Sequence, residues 1–338
     1  MSTLLIVIGV IVITLVTIDM LSTILRMSGG GFISNFAAKG IWKTIFALSK
    51  RNGHSPILSH AGFFIVISLF VIWIGLIWMG YSLIYLSSAS SVVDTATLLP
   101  SNWVGKIYFV GYTLSSLGNG DLKSGGDAWR ILSNVMSLHG TFLVTLSISY
   151  IIPVLDAVIK KRTLSAYIWQ LGRTPEELIR NCWNGKDFSI LHDQFQSLHT
   201  MILEHSERHL AYPVIRYFHS NELKYSAPLC MAILDEVVTI QEVYEIDKSD
   251  KAYNWKILKK SLNSYLDILS SSYVQPTDDA PPFNYSDDLN FSELTSDKKH
   301  KEILEESGIR RKYLAGSVKE DGWAWEDVIE KREINRKF

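Results

Sequence analysis

Apolar residues run almost unbroken through three stretches, 4–25, 61–87 and 131–159, while charged residues crowd the remainder. A bilayer core of about 30 Å takes roughly 20 residues of helix, so each stretch predicts a transmembrane helix. The first lacks a basic leading region and an A-x-A-like site and ends in LRMSGGG, which reads as a retained helix rather than a signal peptide. A fourth apolar run, WVGKIYFVGYTLS over 103–115, is too short to span and follows the helix-starting triplet PSN at 100–102. A half-length helix between two spans dips in and returns. Its non-helical return, LGNGD, is tolerated at membrane depth only where protein buries it or where it lines water. Between the first two spans, FISNFAAKGIWKTIFALSK sets Phe32, Phe36, Ile41, Ile45, Phe46 and Leu48 among lysines, the pattern of an interfacial helix.

Charge divides the chain and orients it. Residues 1–160 hold nine Lys/Arg and five Asp, and the remainder holds 24 Lys/Arg and 29 Asp/Glu, so a charge-poor membrane half precedes a soluble half. A total charge of −1 offers no footprint for nucleic acid. Arg26, Lys39, Lys43, Lys50 and Arg51 lie in the first connection and Lys160, Lys161 and Arg162 after the third span. The connection 88–129 carries only Lys106 and Lys123, offset by Asp94, Asp121 and Asp127. The positive-inside rule then expects the N-terminus outside and the C-terminal part in the cytosol. Cys182 and Cys230 lack zinc-ribbon or redox spacing and read as reduced cytosolic thiols.

The returning segment carries the chemistry. Thr113, Leu114, Ser115, Ser116, Leu117, Gly118, Asn119, Gly120 and Asp121 resemble the signature T-x-T-T-V-G-Y-G-D of the potassium-channel pore family. The motif aims backbone carbonyls at a dehydrated cation in successive rings, and glycines permit the angles required. The resemblance implies a selectivity filter formed by Ser116 to Asp121, with the Ser116 hydroxyl adding one oxygen ring. It also implies a gating-hinge glycine in the inner helix, matched by Gly140, and an inner-helix kink, matched by Pro153. One repeat cannot surround an ion, so a homotetramer is expected. Asn119 departs from the family's tyrosine, an aromatic that packs and hydrogen-bonds behind the filter and holds its diameter.

Other sensing equipment is sparse. No span carries the spaced arginines of a voltage sensor, and Asp19 is the only charge within the first span, read as structural through Thr23 or the interface. The second half shows neither a G-x-G-x-x-G motif after a strand nor the composition of a cyclic-nucleotide-binding barrel. Instead TPEELIRNCW opens on Thr174 as a cap, and the runs 190–210, 227–244 and 254–273 show helical periodicity. His192, His199, His205, His209 and His219 fall here. His205 and His209 are four apart, a spacing that serves metal ligands, a pH sensor or ordinary packing alike. After PTDDAPPF at 276–283 the chain turns polar, with a short helix expected at 302–312 and two tryptophans in GWAWEDVIEK.

The expected fold is thus an all-α membrane protein of the cell (inner) membrane. It comprises an N-terminal transmembrane helix (1–27) and a cytosolic or interfacial linker (28–60). A pore module follows (61–162), with outer helix 61–87, pore helix 102–115, filter 116–121 and inner helix 130–160. A cytosolic helical domain (163–275) and a polar linker and tail (276–338) complete it. The expected function is passive conduction of potassium, with no enzymatic activity and no cofactor beyond the permeant ion. Its partners are monovalent cations, lipid and three further copies. A non-selective cation channel and a non-conducting membrane sensor are the alternatives. A membrane-tethered metalloenzyme using the histidines is the weakest, for want of a complete ligand set.

Overall fold

The computed structural model describes residues 2–26, 29–271, 274–283, 285 and 297–330 of the chain. They form two compact units, Met1–Ile41 with Phe63–Leu155, and Trp42–Gly62 with Asp156–Phe338.

The first unit is built on α1 (Thr3–Leu25), on α4 (Ala61–Leu86) from Phe63 and on α6 (Asp127–Leu171) up to Leu155, three helices each long and apolar enough to cross a membrane. In lipid, helices associate through close packing rather than through a hydrophobic drive, which favours small residues at the contact. Gly9 and Gly80 serve here: a methyl on either would strike the opposite backbone or Ile13 and Ile84. α2 (Phe32–Leu48) begins in this unit and exposes Phe32 and Phe36. Between the last two long helices lie β1 (Val92–Asp94), α5 (Trp103–Leu114) and β2 (Leu122–Ser124). The strands pair antiparallel, Val93 opposite Lys123, so the segment after α5 is tied back to the chain entering it.

The second unit holds the single-turn α3 (Pro56–Ser59) and a helical bundle around α9 (Ala227–Tyr244), whose residues 229–241 are all buried. On it pack α7 (Pro175–Cys182), α10 (Tyr253–Ser271), α11 (Asp297–Glu320) and α12 (Glu326–Ile329), while α8 (Ser189–Ala211) packs on α10 and α7. α7 starts as the sequence indicates: the Thr174 hydroxyl accepts from Glu177 N at 3.1 Å, and the Glu177 carboxylate reaches back to Arg173 N at 3.2 Å.

Two expectations change. The helix expected over 130–160 runs Asp127–Leu171, because Lys161, Leu164, Ser165 and Ile168 recur at helical spacing and are buried, carrying the helix past the basic KKR. The segment expected as polar linker and tail instead supplies α11 and α12, whose Leu314, Val318, Trp323 and Val328 join the core of the bundle. Residues 286–296 of the expected linker and 331–338 of the tail lie outside the described residues.

Candidate functional site

α5 opens on Asn102, whose side chain accepts from Gly105 N at 2.9 Å, and it ends in a left-handed residue. Leu117 N reaches Tyr112 O at 2.8 Å and Ser116 N reaches Thr113 O at 3.0 Å, the two bonds of a Schellman cap, with Ser116 at φ 58° where glycine is usual. Beyond the cap, φ is positive again at Gly118 (62°) and Gly120 (81°), and at neither Leu117 nor Asn119. A methyl at Gly118 or Gly120 would meet open space, so backbone angle, not crowding, calls for glycine there. The carbonyls of Ser116, Leu117, Gly118 and Asn119 accept no hydrogen bond among the described residues. The Gly120 carbonyl differs: it accepts Thr95 Oγ1 at 2.8 Å, and Asp121 O accepts Thr95 N at 3.0 Å. Asn119 Nδ2 donates to Tyr108 Oη at 2.5 Å, and Tyr112 Oη donates to Leu122 O at 2.5 Å.

α6 lies directly behind this turn. The Ser116 hydroxyl pairs with Ser137 Oγ at 2.9 Å and sits 3.4 Å from Thr141 Oγ1. Gly140, expected as a hinge, has a packing duty: a methyl there would overlap the Leu114 carbonyl at the end of α5. Pro153 lies inside α6, which continues through it.

Asp19 is buried and caps α2. Its carboxylate accepts Ile33 N at 2.7 Å, Ser34 N at 3.2 Å, Ser34 Oγ at 2.5 Å and Trp73 Nε1 at 3.1 Å. The first-turn donors of α2, which have no partner within the helix, thereby find an anion at the positive end of its dipole. Thr23 donates to the Asp19 carbonyl at 2.8 Å rather than to its carboxylate. His139 was not singled out from the sequence. Its ring bridges Thr17 Oγ1 at 3.2 Å and Tyr81 Oη at 3.1 Å, joining all three long helices. Its signal was a lone imidazole next to Gly140 in an apolar helix.

In the second unit, four consecutive residues after α8 each hold a different element. Arg216 pairs with Glu320 of α11 at 2.9 Å, and the Tyr217 ring packs on Trp42 of α2. The Phe218 ring lies against Gly62 in the first turn of α4, and its carbonyl accepts Lys161 Nζ of α6 at 3.1 Å. His219 bridges Gly53 O at 2.7 Å and Asp321 Oδ1 at 3.1 Å. Both partners offer acceptor oxygens to the ring nitrogens. Burial alone would raise the Asp321 carboxyl, but His219, Lys161 and Ser226 outweigh it and hold it below its ordinary range. The backbone of Gly53 is gripped at both ends, since its N–H donates to Gly322 O at 2.9 Å.

The remaining histidines are mostly packed. His192 meets Asp247 at 2.7 Å and His199 meets Ser261 Oγ at 2.6 Å. His205 and His209, with Lys161, Arg216, Tyr265 and Asp321, line a cavity of ≈ 40 Å³, and His205 Nδ1 has no partner among the described residues. Burial, with the charge of Lys161, pushes His205 down to about 3. Burial, His205, Arg216 and Lys161 hold His209 well below its ordinary value. Burial and the neighbouring cations thus disfavour the charged form of both rings. Among the described residues no group of three or more His, Cys, Asp or Glu side chains is arranged to hold a metal ion. Cys182 and Cys230 are buried and free, and burial raises both thiols.

No family model matches the chain, and no solved structure matches it. The "Uncharacterized membrane protein YdjJ" of Bacillus subtilis (strain 168) is 33% identical over 277 residues, a match covering 81% of this chain and 80% of that protein.

Proposed function

The chain belongs to the family of the membrane protein YdjJ of Bacillus subtilis, and we propose that within the membrane it is a cation channel. Four copies conduct monovalent cations passively, potassium ahead of sodium, through rings of carbonyl oxygens from Ser116, Leu117, Gly118 and Asn119. The observation that carries this reading is the run of four successive carbonyls without hydrogen bonds, just past a helix too short to span. At membrane depth bare carbonyls call for water or for a cation whose hydration shell they replace. The alternation of positive and negative φ through 116–120 supports it, since such alternation turns successive carbonyls to one side. The C-terminal end of α5 adds a partial negative charge close by.

A single copy contributes one wall. The exposed apolar residues of α6, among them Leu138, Phe142, Ile148 and Ile152, leave surface for neighbouring copies and lipid. No covalent chemistry is involved: the carbonyl rings offset the loss of hydration, and the ion moves down its gradient. Regulation through the helical second unit is part of the reading, since α4 and α6 each run without a break from that unit into the first. In this reading the chain lies in the bacterial inner membrane, N-terminus outside and helical unit in the cytosol.

A non-selective cation pore is the second reading, favoured by the slender amide of Asn119 where the pore family carries an aromatic. Purified protein in detergent is expected at the mass of four chains, and Asn119→Tyr is expected to leave conduction intact. Protein that is monomeric, or an intact tetramer whose liposomes stay sealed to every cation at all pH, calcium and voltage settings, would point instead to a non-conducting membrane sensor.

A further inference from the structure

Away from the conducting turn, we infer that the cavity lined by Lys161, His205, His209 and Arg216 in the helical unit is a binding site for a small inorganic oxyanion, phosphate or sulfate. Lys161 belongs to α6, His205 and His209 to α8, and Glu320 with Asp321 at the close of α11 completes the polar lining. The size fits. About 10–15 Å³ holds one water, so a cavity of ≈ 40 Å³ takes the bulk of about three, which is that of a tetrahedral oxyanion.

The lining offers more donors than acceptors. Each oxygen of its two carboxylates is already engaged: Glu320 accepts from Arg216 at 2.9 Å and from Gln275 N at 3.5 Å, and Asp321 accepts from His219 Nδ1 at 3.1 Å and from Ser226 Oγ at 2.7 Å. Lys161 is only 5% exposed, and its ammonium donates to two neutral carbonyls, Phe218 O at 3.1 Å and Ile215 O at 3.3 Å. Among the described residues it pairs with no carboxylate. An ammonium has three N–H bonds, so one is left over. His205 is 2% exposed, and its Nδ1 has no partner among the described residues. A buried charge without a counter-ion and a buried nitrogen without a partner are both costly, and an oxyanion, which accepts at every oxygen, answers both. Water would satisfy His205 and leave the charge of Lys161 uncompensated. The walls exclude a lipid headgroup with its chains, because His205, Ala227, Tyr265 and Leu269 are all but fully buried. The anion is therefore a free one.

The test is equilibrium dialysis of the full chain in detergent against radiolabelled phosphate and, separately, sulfate, at fixed ionic strength in chloride-free buffer. Wild type, His205→Leu and Lys161→Met are compared, each checked for the wild-type assembly mass. One anion per chain is expected in wild type, with binding at least roughly tenfold weaker in either variant, the scale of one charge-assisted hydrogen bond. The wild-type melting temperature is expected to rise with sulfate, and to rise less in His205→Leu. No anion retained by wild type would overturn the site. So would binding and melting shifts equal in wild type and His205→Leu, the mark of general salt exclusion from the surface. If Lys161→Met fails to fold for want of its bonds to Ile215 and Phe218, His205→Leu carries the expectation alone, and His209→Leu replaces it if it too fails. None of these readouts involves conduction, so the site and the channel reading stand or fall separately.

Discussion

Gly140 of α6 lies against the backbone carbonyl of Leu114, the last residue of α5, with no room for a methyl between them. The contact fixes where the short helix ends and hence where the turn 116–120 begins. Gly140→Ala must push the helices apart or bend one, an overpacking cost of about 1–3 kcal/mol. A lower melting temperature in detergent is expected. Gly75→Ala, where a methyl in α4 meets open space, should melt at the wild-type temperature or above it. Equal melting of Gly140→Ala and wild type would contradict the contact.

Asp19→Asn keeps one acceptor oxygen but removes the charge facing the first turn of α2, and Asp19→Leu removes both. Loss of a helix cap costs about 0.5–2 kcal/mol, and the stranded donors of Ile33, Ser34 and Trp73 add to it. Thermal stability is expected to fall in the order wild type, asparagine, leucine. A leucine variant as stable as wild type would remove Asp19 from the cap.

Hydropathy and length are legible in the chain: the three long helices and the short α5 start and stop within a few residues of expectation except at the end of α6. Partners that are distant or charged leave no such mark. Asp19 of α1 meets its donors on α2, and three-residue strands such as Val92–Asp94 carry no alternation to detect. α11 reads as polar because its buried side includes Arg310 and Arg311, which hydropathy assigns to solvent. They are buried because Asp235 and Glu236, adjacent on α9, pair with them at 2.7 Å and 2.5 Å. Burial raises both carboxyls, and the arginines act against that rise.

That quartet yields its own prediction. Arg311→Met leaves Glu236 buried without its cation, which costs about 3–5 kcal/mol, while Arg311→Met with Glu236→Met removes the stranded charge. The double variant is expected to be the more stable of the two in thermal melts. If it is the less stable, the arginine acts through packing alone.

Acid should loosen the helical unit. His205 and His209 have folded values below the ordinary 6.5, so the unfolded chain binds more protons in that window. The stability they contribute is complete above about pH 6.5 and is lost as pH falls toward the folded values. Asp321, also depressed, adds loss in the same direction below its ordinary 3.8. Melting temperature is expected to fall between pH 7 and 5, and His205→Gln should flatten part of that slope. A profile unchanged by His205→Gln would mean that its protonation is not linked to folding.

The most direct measurement is cation flux into liposomes holding the purified protein, potassium against sodium, for wild type and Gly118→Ala. Alanine at φ 62° strains the turn that carries the bare carbonyls. The account predicts potassium-preferring flux in wild type and its loss in Gly118→Ala with the assembly mass unchanged. Flux of equal size in both proteins, or none in wild type, would contradict it.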